Sequence, residues 1–92
     1  RAPELVAEIV SSDRSRRDEV IKYGLYEHEG VGHYILVYPD IEVAKVYELV
    51  EGAYRKVGDF HSECFALEVG GSRIELDFAR LWRRSRLKIQ DP

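Results

Sequence analysis

Apolar positions along the first third of the chain follow two spacings in turn. Residues 4–10 (ELVAEIV) alternate with a period of two, which predicts a β-strand with Val6, Glu8 and Val10 on one face. Residues 15–29 carry apolar positions three and four apart, which predicts an α-helix. The expected buried stripe of this helix comprises Val20, Ile21, Gly24, Leu25 and His28.

Strand-like runs separated by turn residues make up most of the remaining chain. The run His33–Tyr38 (HYILVY) is apolar on both faces, as expected for a strand that is covered on both sides. Pairs of Pro-Asp, Glu-Gly and Gly-Gly mark the turns that follow. Further strands are predicted at residues 42–50, 53–57, 64–69 and 73–77. A short helix is predicted over residues 78–86, with Leu81 and Trp82 as its anchors.

The order of these elements predicts the fold class. A strand, a helix and a second strand in succession predict a right-handed crossover between two parallel strands. The later strands are linked by short turns and should therefore add in antiparallel fashion. The expected architecture is one α/β (α+β) domain with a mixed sheet, a restriction-endonuclease-like core, and a short C-terminal helix.

Composition narrows the classes of function. A chain of 92 residues with 45% apolar residues fits a single small globular domain. Its net charge of -3 excludes a general attraction to nucleic acid or to a membrane surface, so any contact with phosphates requires a local basic patch. Charged residues interrupt every long apolar run, so no membrane span is expected. The lone Cys64 excludes an internal disulfide and favours a cytoplasmic location, and its CFAL context predicts a core position.

A set of residues in the first third of the chain has a characteristic spacing. The set comprises Glu8, Ser11, Arg17, Asp18, Lys22, Tyr26, Gly30, Val31 and Tyr34. From residue 2 to residue 39 this pattern resembles, almost without gaps, the Uma-type family of predicted restriction endonucleases in the PD-(D/E)XK nuclease superfamily. After Tyr38 only a general strand-rich pattern continues.

The resemblance implies an endonuclease that hydrolyses phosphodiesters with the help of Mg²⁺ (or Mn²⁺). By position, Glu8 is the expected catalytic and metal-binding carboxylate. Lys22 is the expected catalytic lysine, displaced onto the helix from the strand position that Val10 now holds. The metal-binding Asp of the family belongs to a strand before Arg1. We therefore expect this chain to be the C-terminal portion of the domain, with weak or no metal binding and little activity by itself. Tyr38 stands where the family usually has Asp.

Simpler explanations account for the same residues. Asp18 and Lys22 form an i,i+4 acid–base pair that is ordinary on a solvated helix face. Glu8 is also compatible with a strand whose end faces solvent. The alternative function is a non-catalytic interaction module that reuses the nuclease fold. Such a module would form a homodimer through the exposed sheet edge at residues 4–10.

Two groups of basic residues are candidates for contacts with DNA. Arg14, Arg16 and Arg17 flank the expected site, and Arg83 and Arg84 belong to a basic closing segment. Guanidinium groups bind phosphates well, which makes both groups candidates for nucleic-acid binding. A solvated helix face explains the first group equally well and is the favoured explanation for the C-terminal group.

Overall fold

The computed structural model describes residues 3–10 and 16–83. Its elements are β1 (Leu5–Ile9), α1 (Arg16–Glu29), β2 (His33–Tyr38), β3 (Val43–Val50), β4 (Ala53–Phe60), β5 (Cys64–Val69) and β6 (Ser72–Asp77). Residues 78–83 are helical, and the rest of the predicted closing helix lies outside the described residues. The predicted elements are confirmed in type and order.

The main sheet has four strands in the order β1-β2-β3-β4. Strand β1 runs parallel to β2, and β3 and β4 are antiparallel additions, which confirms the mixed α/β fold. The pair β5–β6 does not extend this sheet but forms a separate two-stranded one. That separation was not expected. It arises because Phe65 and Leu76 of the second sheet pack against the core on one face of the main sheet.

The turn between β3 and β4 is the tight connection that the sequence predicted. Both of its central residues, Glu51 and Gly52, have positive φ values, 51° and 84°. A two-residue turn of this kind matches the right-handed twist of the strands that it joins. Gly52 adopts the left-handed conformation without strain, whereas Glu51 is held there by the hairpin.

One face of the main sheet packs against the second sheet and residues 78–83. Its buried centre contains Ile35 and Val37 of β2 together with Val46 of β3. Trp82 is only 2% exposed, and its indole N–H donates a hydrogen bond to the carbonyl of His61. The predicted anchoring role of Trp82 is therefore confirmed.

The opposite face of the sheet packs against α1 and is rich in tyrosine. All six tyrosines of the chain lie in this layer, here called the tyrosine layer: Tyr23, Tyr26, Tyr34, Tyr38, Tyr47 and Tyr54. The rings of Tyr23 and Tyr47 meet edge to face, with centroids 5.1 Å apart and an angle of 89°. Edge-to-face contacts pair the positive rim of one ring with the negative face of the next, which stabilises the layer beyond simple burial.

The predicted apolar stripe of α1 is wrong. Val20, Ile21 and Leu25 are 66%, 57% and 48% exposed, and the helix instead turns Tyr23 and Tyr26 toward the sheet. The reason is that the rings on this face contact tyrosines of the sheet, while the polar side chains beside them find hydrogen-bond partners there.

Among the described residues no helix combines the length and apolar character that a bilayer crossing requires.

The core position predicted for Cys64 is also wrong. Cys64 is exposed and carries a free thiol at the start of β5. Alternation along β5 turns Phe65 and Leu67 inward, with Leu67 only 6% exposed. The same alternation directs Cys64 to the opposite side, toward solvent.

Candidate active site

Glu8 lies on β1 and faces α1. The alternation of β1 places Val6 and Val10 on the same side, where both pack in the tyrosine layer. The side chain of Glu8 is only 14% exposed, so its carboxylate is largely removed from water. A charge in such a position needs partners, because burial of an unpaired carboxylate is costly.

Lys22 supplies one partner from the second turn of α1. Its Nζ lies 3.0 Å from Oε1 of Glu8 and forms both a hydrogen bond and an ion pair. The lysine side chain is 37% exposed, so the pair lies at the rim of the layer between helix and sheet. The two residues selected from the sequence are therefore in direct contact, although fourteen positions separate them.

Tyr26 supplies a second partner, one helical turn after Lys22. Its hydroxyl donates a hydrogen bond of 2.7 Å to Oε2 of Glu8. Sequence reasoning used Tyr26 only as part of the family pattern and did not select it as a site residue. The available signal was its i,i+4 spacing from Lys22, which puts both side chains on one helix face.

Together these contacts hold the carboxylate in a fixed orientation. Hydrogen bonds to an ionised group are shorter and stronger than neutral ones, and here each carboxylate oxygen receives one. The lysine ammonium has three N–H donors, so it can donate to a further acceptor while it contacts Glu8. The arrangement can present a positive group and an oriented carboxylate to an anionic ligand.

Two further carboxylates on α1 bind the sheet in the same manner. Oε1 of Glu19 accepts a hydrogen bond of 2.9 Å from the hydroxyl of Tyr38. Oε2 of Glu27 accepts one of 2.7 Å from the backbone N–H of Tyr54. Burial is the largest cause that raises the pKa of both tyrosines, to about 12 for Tyr54, and the neighbouring glutamates add to it. Both hydroxyls therefore stay protonated near neutral pH.

The pattern of a known protein family matches most of the chain, including these residues. The sequence pattern of the Uma2 family, described as "Putative restriction endonuclease", matches residues 1–77. The chain belongs to the Uma2 family. No curated protein matches the chain. The Uma2 match continues through β6 and is thus longer than the resemblance visible in the sequence up to residue 39.

Tyr38 stands at the position where the resemblance to Uma-type sequences leads to the expectation of Asp. Its hydroxyl is engaged by Glu19 rather than directed toward Glu8. Glu4 does not join the site either, because its Oε1 accepts a hydrogen bond of 2.7 Å from the backbone N–H of Gly70. Within residues 3–10 and 16–83, no group of three His, Cys, Asp or Glu side chains is arranged to hold a metal ion.

The candidate DNA-binding residues that the structure describes lie on both sides of the main sheet. Arg16 and Arg17 are exposed in the first turn of α1, on the side of the sheet that carries Glu8. Arg83 is exposed on the helical segment that packs against the opposite face. Arg14 and Arg84 lie outside the described residues. The two candidate DNA-binding groups are therefore not combined into one surface by the residues described.

Proposed function

We propose that this Uma2 chain carries the core of an endonuclease site for phosphodiester hydrolysis in DNA, with Glu8 and Lys22 as its catalytic residues. The observation that supports the proposal most is the 3.0 Å contact between the Glu8 carboxylate and the Lys22 ammonium. These residues come from different elements, and the resemblance in the sequence implies a catalytic role for both.

Lys22 and Glu8 would have separate tasks. The Lys22 ammonium would bind a non-bridging oxygen of the scissile phosphate, where negative charge grows in the transition state. The Glu8 carboxylate, oriented by Lys22 and Tyr26, would accept a proton from a polarised water or orient it. Tyr26 is a positioning residue in this scheme, since it acts through Glu8.

The family relationship also raises the question of Mg²⁺ or Mn²⁺. Magnesium requires near-octahedral oxygen ligation at about 2.0–2.1 Å. Among the described residues, no three His, Cys, Asp or Glu side chains, Glu8 included, are arranged to hold a metal ion. They do not by themselves fit a magnesium site. We propose that the site is incomplete in this chain, with metal binding that is weak or absent.

Two measurements test the proposal: metal-dependent thermal stability and cleavage of DNA. If Glu8 contributes to metal binding, a Mn²⁺ concentration close to the dissociation constant should raise the melting temperature of the protein by about 2 °C. Glu8→Gln should abolish that shift and any cleavage. Glu68→Gln is the matched control, because Glu68 is exposed on β5, away from α1. Cleavage by Glu8→Gln at the wild-type rate would refute the proposal.

A second candidate function is a non-catalytic interaction module with the nuclease fold. The observation that favours it is the position of β1 at an edge of the described sheet, with Ile9 66% exposed. Edge strands readily pair with another chain, so a homodimer would cover β1. Under this proposal neither Mg²⁺ nor Mn²⁺ should stabilise the protein.

We also infer a cytoplasmic location, because the lone thiol of Cys64 suits a reducing compartment.

A further inference from the structure

A cleft beside the Glu8–Lys22 pair is not used by the proposed chemistry. It has a cavity volume of about 200 Å³ and opens between α1 and strands β2 and β3. The residues that matter for its chemistry are Arg16, Glu19, Tyr23, Tyr38, Lys45 and Tyr47. The cleft therefore combines aromatic rings with charged groups at its sides.

The aromatic rings of the cleft are half-buried and held in place. The hydroxyl of Tyr38 donates to Glu19, and the ring of Tyr47 meets Tyr23 edge to face. All three rings line the cleft, and none of them is fully buried. Fixed aromatic surfaces of this kind suit a planar, aromatic ligand, since little side-chain entropy is lost on binding.

The charges around the cleft favour a ligand that also carries an anion. The lining of the cleft contains two cations, Arg16 and Lys45, and one anion, Glu19. The carboxylate of Glu19 already accepts a hydrogen bond from Tyr38. The Nζ of Lys45 lies 5.1 Å from the centre of the Tyr38 ring. Asp59, on the neighbouring strand, pairs with Lys56 at 2.8 Å. The surroundings of the cleft are thus locally positive in a chain whose net charge is -3.

The cleft lies close to Glu8 in the register of the sheet. Glu8 is opposite Leu36, which lines the cleft, and Leu36 is opposite Lys45. Neighbouring strands are about 4.8 Å apart, so the backbones of Glu8 and Lys45 are separated by about 10 Å. On α1, Glu19 precedes Lys22 by three residues and shares its face. A ligand in the cleft therefore lies next to the proposed catalytic pair.

We propose that this cleft binds one unpaired nucleotide of single-stranded DNA, with the base against Tyr38 and Tyr47 and the phosphate near Arg16 and Lys45. Stacking on aromatic side chains beside a cationic groove is the usual chemistry of single-strand recognition. A paired base cannot enter a cleft between a helix and a sheet, because its faces are covered by its neighbours. The inference rests on the proposed nuclease function for its choice of nucleic acid.

Binding without cleavage tests the cleft directly. The dissociation constant of a fluorescent single-stranded oligothymidylate is measured by anisotropy in EDTA, with a duplex of the same length as competitor. Lys45→Ala should weaken binding by about tenfold, and the duplex should compete poorly. Arg73→Ala is the control: it removes the same charge from an exposed position on β6 and should change the constant by less than about twofold. Lys45→Gln keeps most of the packing if the alanine variant is unstable.

The outcomes separate the cleft from the nuclease site. Equal dissociation constants for Lys45→Ala and Arg73→Ala, or a duplex that binds as tightly as the single strand, would overturn the cleft proposal. Glu8→Gln should bind the single strand at least as tightly as the wild type, because it removes a nearby negative charge. Cleft-dependent binding together with cleavage that Glu8→Gln leaves at the wild-type rate supports the cleft and refutes the nuclease proposal.

Discussion

The carboxylate of Glu8 is the point at which three side chains of the candidate site meet. Lys22 neutralises its charge, and Tyr26 fixes its second oxygen. Partial burial makes each of these contacts stronger than it would be in water, and it makes the loss of either partner costly. The pair is thus part of the packing between helix and sheet as well as the centre of the proposed chemistry.

The hydroxyl of Tyr26 should contribute measurably to stability. Tyr26→Phe leaves a largely buried carboxylate with one donor fewer, so the free energy of unfolding should fall by about 1 to 2 kcal/mol. Urea denaturation followed by circular dichroism measures the change. Tyr23→Phe is the control, since the structure gives the Tyr23 hydroxyl no hydrogen bond to the described residues. A similar loss in both variants would show that the contact with Glu8 is not what Tyr26 contributes.

Tyr54 should make stability fall at alkaline pH. Burial raises the pKa of its hydroxyl from 10.0 to about 12, so between these values the unfolded chain loses a proton that the folded chain keeps. The contribution of the Tyr54 hydroxyl to the free energy of unfolding is therefore complete below pH 10. It is lost as the pH rises toward 12, by at most about 1.4 kcal/mol per pH unit for one proton.

The variant Tyr54→Phe tests this dependence. It removes the hydrogen bond of 2.8 Å from the hydroxyl to the Val31 carbonyl, so it should be less stable than the wild type near neutral pH. Its further loss of stability between about pH 8 and about pH 11 should be smaller than that of the wild type. Urea unfolding at both pH values provides the measurement, and parallel declines would contradict the assigned role.

At the scale of elements, α1 offers two stripes with the same helical spacing. One stripe is aliphatic and contains Val20, Ile21 and Leu25, and the other contains Glu19, Lys22, Tyr23, Tyr26 and Glu27. The second stripe faces the sheet because its polar atoms meet Glu8, Tyr38 and Tyr54 there. The two stripes lie on nearly opposite faces of α1, and both follow the helical period, so periodicity alone gives no basis for choosing between them.

Glu27 should act as a link between α1 and the edge strand β4. Its carboxylate accepts the backbone N–H of Tyr54, a residue that is only 9% exposed. Glu27→Ala should destabilise the protein by about 1 to 2 kcal/mol because it leaves that N–H without its acceptor. Hydrogen exchange of the Tyr54 amide should become faster.

Glu29→Ala is the matched control for this change. It makes the same substitution at an exposed position in the last turn of α1, and it should leave both stability and the exchange rate of the Tyr54 amide nearly unchanged. If the two alanine variants lose equal stability, the link between α1 and β4 is not the source of the effect.

At the scale of the whole molecule, the main sheet is covered on both faces but keeps β1 and β4 as edges within the described chain. If β1 pairs with a second copy, the protein should sediment as a dimer at micromolar concentration. Ile9→Lys should shift it toward monomer, because a lysine on an edge strand opposes pairing. Val57→Lys, on β4, is the matched control and should leave the dimer intact. A wild-type monomer would contradict the dimer proposal.

The sequence by itself determined the elements, their order and the parallel crossover, because strand and helix periods and turn residues are local properties. It also selected Glu8 and Lys22 through the family pattern. Only the tertiary structure decided which face of α1 is buried, that Tyr26 binds Glu8, and that β5 and β6 form their own sheet. These outcomes depend on which surfaces and hydrogen-bond partners meet in space, and residues distant in sequence supply them.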